Sequence, residues 1–277
     1  MKAALIQMTA GDDPAVNLIK TLRYVAEAAA QGATLICTPE VTNCVSQDRA
    51  RQQDVLQLEQ DDITLSALCA EAARLGVWLS VGSLAIKTGD ADGRFANRSF
   101  LIGPDGAIVA RYDKIHMFDV TVSDTESYRE SAGYRPGDRA VLARMPDAAL
   151  GLSICYDLRF AQLHRDLAQA GADILLVPSA FSPVTGAAHW HTLLRARAIE
   201  TGCFVLAAAQ TGTHAAGSGR PRQTYGHSLA VDPWGTVLAD AGTEPGVTMV
   251  DLDLALVSQS RGRVPSLRHD RPYLDPQ

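Results

Sequence analysis

The sequence predicts an α/β fold, and three observations carry that reading. Short β-rich runs alternate with helical patterns from end to end, the helical patterns bear capping signals, and the strand-like runs outnumber the helices. KAALIQM at 2–8 opens as a buried strand. Asp13 then stands as the N-cap of a first helix with Pro14 at its first position. Leu18, Leu22, Val25, Ala26 and Ala29 recur at helical spacing until Gly32 ends it. That apolar face must pack on a sheet. ATLICT at 33–38, a further helix and VWLSVGSLAI at 77–86 continue the alternation.

RSFLI and AIVARY, between 98 and 112, are joined by Pro104, Asp105 and Gly106, turn residues that suit a hairpin, so the sheets are expected to be mixed. Further strands are predicted at 149–154, 173–178, 203–209, 227–231, 236–239 and 247–252. Helices are predicted near 160–170 and 187–201, closed by Gly171 and Gly202. No internal repeat and no long biased linker interrupts the chain, so residues 1–277 are expected to form a single domain. The polar, Gly-rich stretches 87–98 and 211–224 read as surface loops.

Composition limits the function. The 277 residues carry 25 Lys and Arg against 31 Asp and Glu, a net charge of −6, which disfavours a nucleic-acid partner. Hydrophobic residues make up 47% of the chain and charged residues 20%, enough apolar content for a sizeable core. No apolar run approaches the roughly 20 residues of a membrane span, and the N-terminus lacks a signal-peptide pattern. A soluble cytoplasmic protein with no membrane partner is expected. The five cysteines, Cys37, Cys44, Cys69, Cys155 and Cys203, show no CxxC pair and are expected to be reduced.

Among them Cys155 stands apart, because SICYDLRF at 153–160 runs from a strand into a helical pattern. Such a turn lifts a nucleophile above the sheet edge and leaves backbone N–H groups free to meet an oxyanion. A thiol with a pKa of about 8.5 needs a base or a nearby cation. The seven histidines form no cysteine-protease signature, and His189 and His191 make an HxH pair without a third evident ligand, so no metal is expected. Glu40, in TPEV at 38–41, and Lys114, in YDKIH at 112–116, each follow a strand and so reach a common rim. Taken singly, each of the three reads first as a packed thiol or an ordinary strand-end charge.

Together, and in this order, they resemble the Glu-Lys-Cys triad of the nitrilase superfamily of carbon-nitrogen hydrolases. The resemblance runs on through YRES at 128–131, YRPGD at 134–138, VPSAF at 177–181 and TGAAHW at 185–190. It continues with RARAIE at 195–200, YGHS at 225–228, DPWG at 232–235 and RPYL at 271–274. The chain is most similar to the Nit branch, amidases of small keto-acid amides. The resemblance implies Glu40 as general base, Lys114 as triad lysine, Cys155 as nucleophile and Glu130, in YRES, as a supporting second glutamate. Tyr156, Ser179 and Phe181 are implied at the substrate. One departure is Ala161-Gln162, where many relatives have Pro-Glu at the start of the helix after the nucleophile.

The family fold is a four-layer αββα sandwich. The implied reaction is two-step acyl transfer through a Cys155 thioester without metal or organic cofactor, with the Lys114 charge expected to favour the thiolate. The implied partners are a small, anionic amide and a second copy of the chain, with the helix at 187–201 as the dimer surface. Nitrile hydrolysis and a non-catalytic binding role are the other readings. A carboxylate on the substrate requires a local cation, for which Arg159, Arg195, Arg197 and Arg222 are candidates. Arg159 reads first as the partner of a nearby acid.

Overall fold

The computed structural model describes residues 1–123, 126–215 and 221–274. In chain order the first half contains β1 Lys2–Gln7, α1 Pro14–Ala30, β2 Leu35–Cys37, α2 Arg49–Val55, α3 Ile63–Leu75, β3 Trp78–Lys87, β4 Phe95–Ile102 and β5 Ile108–Asp113. A short hairpin, β6 Asp119–Ser123 and β7 Glu126–Arg129, follows. The second half contains β8 Val141–Arg144, β9 Ala149–Leu152, α4 Ala161–Gln169, β10 Ile174–Leu176, α5 Pro183–Thr201 and β11 Phe204–Ala207. Then come β12 Thr211–Thr213, β13 Gln223–Tyr225, β14 Leu229–Val231, β15 Val237–Asp240, β16 Gly246–Asp251 and α6 Ala255–Arg263.

Two six-stranded sheets form, ordered β16-β1-β2-β3-β4-β5 and β15-β14-β11-β10-β9-β8. Each has three parallel strands at its centre and antiparallel strands outside them. The two halves therefore share one plan that no sequence repeat discloses. Side-chain alternation divides the core. Ala3 and Leu5 of β1 join Leu150, Ile174 and Phe204 of the second sheet, whereas Ala4 and Ile6 join Val25 of α1 and Leu68 of α3. The other side of the second sheet meets Leu163 and Leu167 of α4 and Trp190 and Leu194 of α5. These are the four layers, helix, sheet, sheet, helix.

Asp13 caps α1 by accepting from the N–H groups of Ala15 and Val16, as expected. The buried stripe differs. It runs through Pro14, Asn17, Thr21, Val25 and Ala28, while Leu18 and Leu22 only flank it. Asn17 is buried because it bonds the carbonyls of Gly11 and Asn43 and the N–H of Gly11, which fixes the loop after β1. The 211–224 stretch is also not wholly a surface loop. His214 and Thr224 are buried and hydrogen-bonded at its base, and residues 216–220 lie outside the described residues. Residues 95–98 likewise belong to β4.

Candidate active site

Glu40 is delivered by the turn that ends β2. Thr42 Oγ1 bonds Pro39 O and Thr38 Oγ1, Ser83 Oγ accepts from Val41 N–H at 2.7 Å, and Gln210 Nε2 donates to Glu40 O. The turn is tight enough to drive Val41, a β-branched residue, to φ +47°. It also lies against β3 at Gly82, where an added Cβ would stand 2.0 Å from Thr38 O and 2.5 Å from Pro178 Cβ. Only glycine permits that approach.

Lys114 follows β5, its backbone held by Asn97 O and by the N–H of Gly137. Its ammonium is 2% exposed and sits between two carboxylates, 3.0 Å from Glu40 Oε1 and 2.8 Å from Glu130 Oε2. Asn97 Nδ2 donates to Glu40 Oε1 and Ala180 N–H to Glu40 Oε2, so both oxygens of that carboxylate are engaged. Glu130 also accepts from Phe118 N–H at 2.6 Å. Buried like charges demand such pairing, since either carboxylate alone would be strongly disfavoured.

Cys155 begins a single 3-10 turn, Cys155–Arg159, after β9. Its φ is +51°, a left-handed conformation strained for a side-chain-bearing residue, and its N–H bonds Pro178 O. Asp157 N–H is the first to bond back, to Ile154 O, which leaves Tyr156 N–H ahead of the turn's own hydrogen bonds. Asp157, fully buried, ties this turn to the Lys114 loop. It accepts from Tyr112 Oη at 2.6 Å, His116 Nδ1 at 2.7 Å, His116 N–H and Ile154 N–H. Motif comparison singled out none of Asp157, Asn97, Tyr112 and His116. YDKIH and CYD contain three of them, but only their contact across the fold shows what they do.

The electrostatics follow from burial and charge. Burial pushes the Glu40 carboxyl up, but Lys114, with Arg222 behind it, brings it below its usual value. Burial pulls the Lys114 ammonium down, and Glu130 and Glu40 reverse this to hold it well above normal. Burial and the Glu40 charge raise the Cys155 thiol, and Lys114 opposes them only in part. The expectation that Lys114 wins for the thiolate is thus corrected. These directions make the resting pair a thiol and a carboxylate.

A cavity of about 440 Å³ opens over these groups, and Glu40, Lys114, Glu130, Cys155, Tyr156 and Phe181 all line it. Ser179 does not. Its hydroxyl is spent on Val177 O, and its backbone pairs beside Ala209. Of the four arginines only Arg222 reaches the cavity. Arg195 holds Gly235 O and Arg197 holds Leu158 O and Glu200. Arg159 lies over the rings of Tyr156 and Phe181 and meets His189, in place of the acid expected for it. His189 and His191 do not act together. His191 groups instead with His227 and Asp240, ligand atoms within 4.8 Å of one another, and none of the three lines the cavity. The helix after Cys155, α4, has Phe160 as its N-cap with no side-chain capping bond, and Phe160 stacks on His116 with ring centroids 3.4 Å apart.

A two-sheet sandwich with a buried thiol, carboxylate and ammonium at one rim defines a hydrolase of carbon–nitrogen bonds other than peptide bonds. The family model for carbon-nitrogen hydrolases matches residues 2–262, and the chain belongs to that family. It is 38% identical over 269 residues to the deaminated glutathione amidase of Synechocystis, covering 96% of this chain and 97% of that one. To the Homo sapiens protein of that name it is 39% identical over 276 residues, covering 98% and 82%. Among solved structures, the C. elegans NitFhit protein superposes with a TM-score of 0.90 at 35% identity, covering 98% of this chain and 65% of that one. An amidase from Nesterenkonia sp. AN1, in which acrylamide has added to the active-site cysteine, superposes with a TM-score of 0.77 at 28% identity, covering 96% and 98%. Among the described residues, no helix is long and apolar enough to cross a membrane.

Proposed function

We propose that the chain is a deaminated glutathione amidase working through Glu40, Lys114 and Cys155. The observation that carries this reading is the Lys114 ammonium shared by Glu40 and Glu130 beside the Cys155 thiol. Glu40 takes the thiol proton as sulfur attacks the amide carbon. The oxyanion forms against Lys114 Nζ and Tyr156 N–H. Glu40 returns the proton to the leaving amine and a thioester remains. Glu40 then deprotonates water, which attacks the thioester, and the proton it holds passes back to sulfur as the acid departs. Glu130 acts through Lys114, holding its charge in place. Every proton in this cycle is carried by side chains of the chain itself.

The named relatives at 38–39% identity support the choice of substrate, and the acrylamide-modified cysteine of the Nesterenkonia amidase supports Cys155 as nucleophile. Ile199 and Trp234 each expose more than half their surface, and Ile199 packs against Gly235 next to Trp234, an apolar area that supports pairing with a second copy of the chain. The test is turnover of deaminated glutathione and of 2-oxoglutaramate, with products identified by mass spectrometry. Higher kcat/KM on deaminated glutathione, with an acyl adduct on Cys155, supports the reading. A large preference for 2-oxoglutaramate overturns the substrate, and Cys155→Ala protein that is folded and fully active overturns the mechanism.

A further inference from the structure

Glu40 and Glu130 against Lys114 leave the reacting centre one negative charge in excess, so an anionic amide needs a further cation in the cavity wall. Besides Lys114, three cationic side chains among the described residues line it: Arg49, Arg129 and Arg222. Arg49 is committed elsewhere, with its two terminal nitrogens on Gly133 O and Gly93 O and its guanidinium carbon 3.8 Å from the Phe95 ring centroid. Arg129 is exposed, and its Nη1 folds back on Tyr128 O.

Arg222 differs from both. Its Nη2 donates to Ala180 O at 2.7 Å, on the residue whose own N–H holds Glu40. Its Nε–H is buried and meets no acceptor, and among the described residues no carboxylate lies within ion-pair distance of it. Its backbone is anchored, since Arg222 O accepts from His214 N–H while the buried His214 ring bridges Ala10 O and Thr224 Oγ1. A pinned guanidinium that lies over the Tyr128 ring and keeps a buried, unspent Nε–H beside the cavity is suited to a planar anion.

We propose that Arg222 is the residue that binds a carboxylate of the substrate and so selects anionic over neutral amides. This rests on the amidase reading above. Arg222 touches no reacting atom, so its contribution is uniform binding, seen in KM more than in kcat. It also lies behind Glu40, an influence that falls on every amide alike, so a neutral amide serves as the internal reference.

Glutaramate and pentanamide differ only in a terminal carboxylate against a methyl, and both release ammonia. In Arg222→Met, and in Arg222→Gln, which keeps a polar side chain without the charge, the ratio of kcat/KM for glutaramate over pentanamide is expected to fall at least ~10-fold, through KM. A ratio within twofold of the native value in folded protein overturns the proposal. Inhibition of the native enzyme needs no variant: glutarate is expected to compete with pentanamide more strongly than pentanoate does, and equal inhibition overturns the clamp. Native protein that hydrolyses neither amide, nor deaminated glutathione, refutes the amidase reading instead.

Discussion

At the scale of single residues, three ionisable groups have been moved away from neutrality, each for a stated reason. Glu40 lies below its usual range, and Lys114 and Cys155 lie above theirs. None of them titrates near pH 7, so kcat/KM is expected to be flat between about pH 6 and 8, whereas a thiolate–imidazolium pair would titrate there. A pH profile of the purified enzyme checks this. Glu40→Gln is expected to lower kcat at least ~100-fold, read in a steady-state assay. Asp157→Asn keeps the shape but weakens the link between the Cys155 turn and the Lys114 loop. It is expected to lower kcat with little change in KM and to cost about 1–3 kcal/mol of stability in urea titration.

Elements bring these residues together by close approach. Gly82 of β3 is the clearest case, since a methyl there collides with the backbone oxygens of Thr38 and Pro39, next to Glu40, and with the Pro178 ring. Gly82→Ala is expected to destabilise the protein by ~2 kcal/mol or more, and to lower kcat, because relief of the clash moves Glu40 away from Ala180. Denaturant midpoints and single-turnover rates report the two effects. The strands were readable from the sequence because their runs are apolar on both faces, as centrally buried parallel strands must be. The buried stripe of α1 was not, because Asn17 is buried by hydrogen bonds, and a hydropathy pattern does not register those. The hairpin of β6 and β7 escaped for a related reason, being short and polar.

Across the whole molecule, two buried histidines link stability to pH. Burial lowers both His164 and His214 to about 4, against 6.5 when exposed. The unfolded chain therefore binds protons first, and stability is unaffected above about pH 6.5 and lost as the pH falls towards 4. The loss reaches about 3 kcal/mol per histidine. Urea midpoints measured across that window are expected to drop, and a His164→Gln variant to drop less steeply. The exposed patch around Trp234 gives a second expectation at this scale. If two copies pair through it as proposed, the native protein sediments as a dimer and Trp234→Asp as a monomer in sedimentation velocity, with amide turnover retained.

Apolar runs, capping residues and the order of the Glu40, Lys114, Glu130 and Cys155 motifs determined the fold class and the chemical type of the centre. These are properties written along the chain, in the kind and spacing of neighbours. The thiol's resting protonation, the exclusion of Ser179 from the cavity, the partners of Arg159 and the position of Arg222, alone of the four candidate arginines, on the cavity wall were decided only in three dimensions. Each depends on burial and on charges that approach from distant segments, and an electrostatic interaction is set by separation in space and by the surrounding dielectric, neither of which is a function of position in the chain.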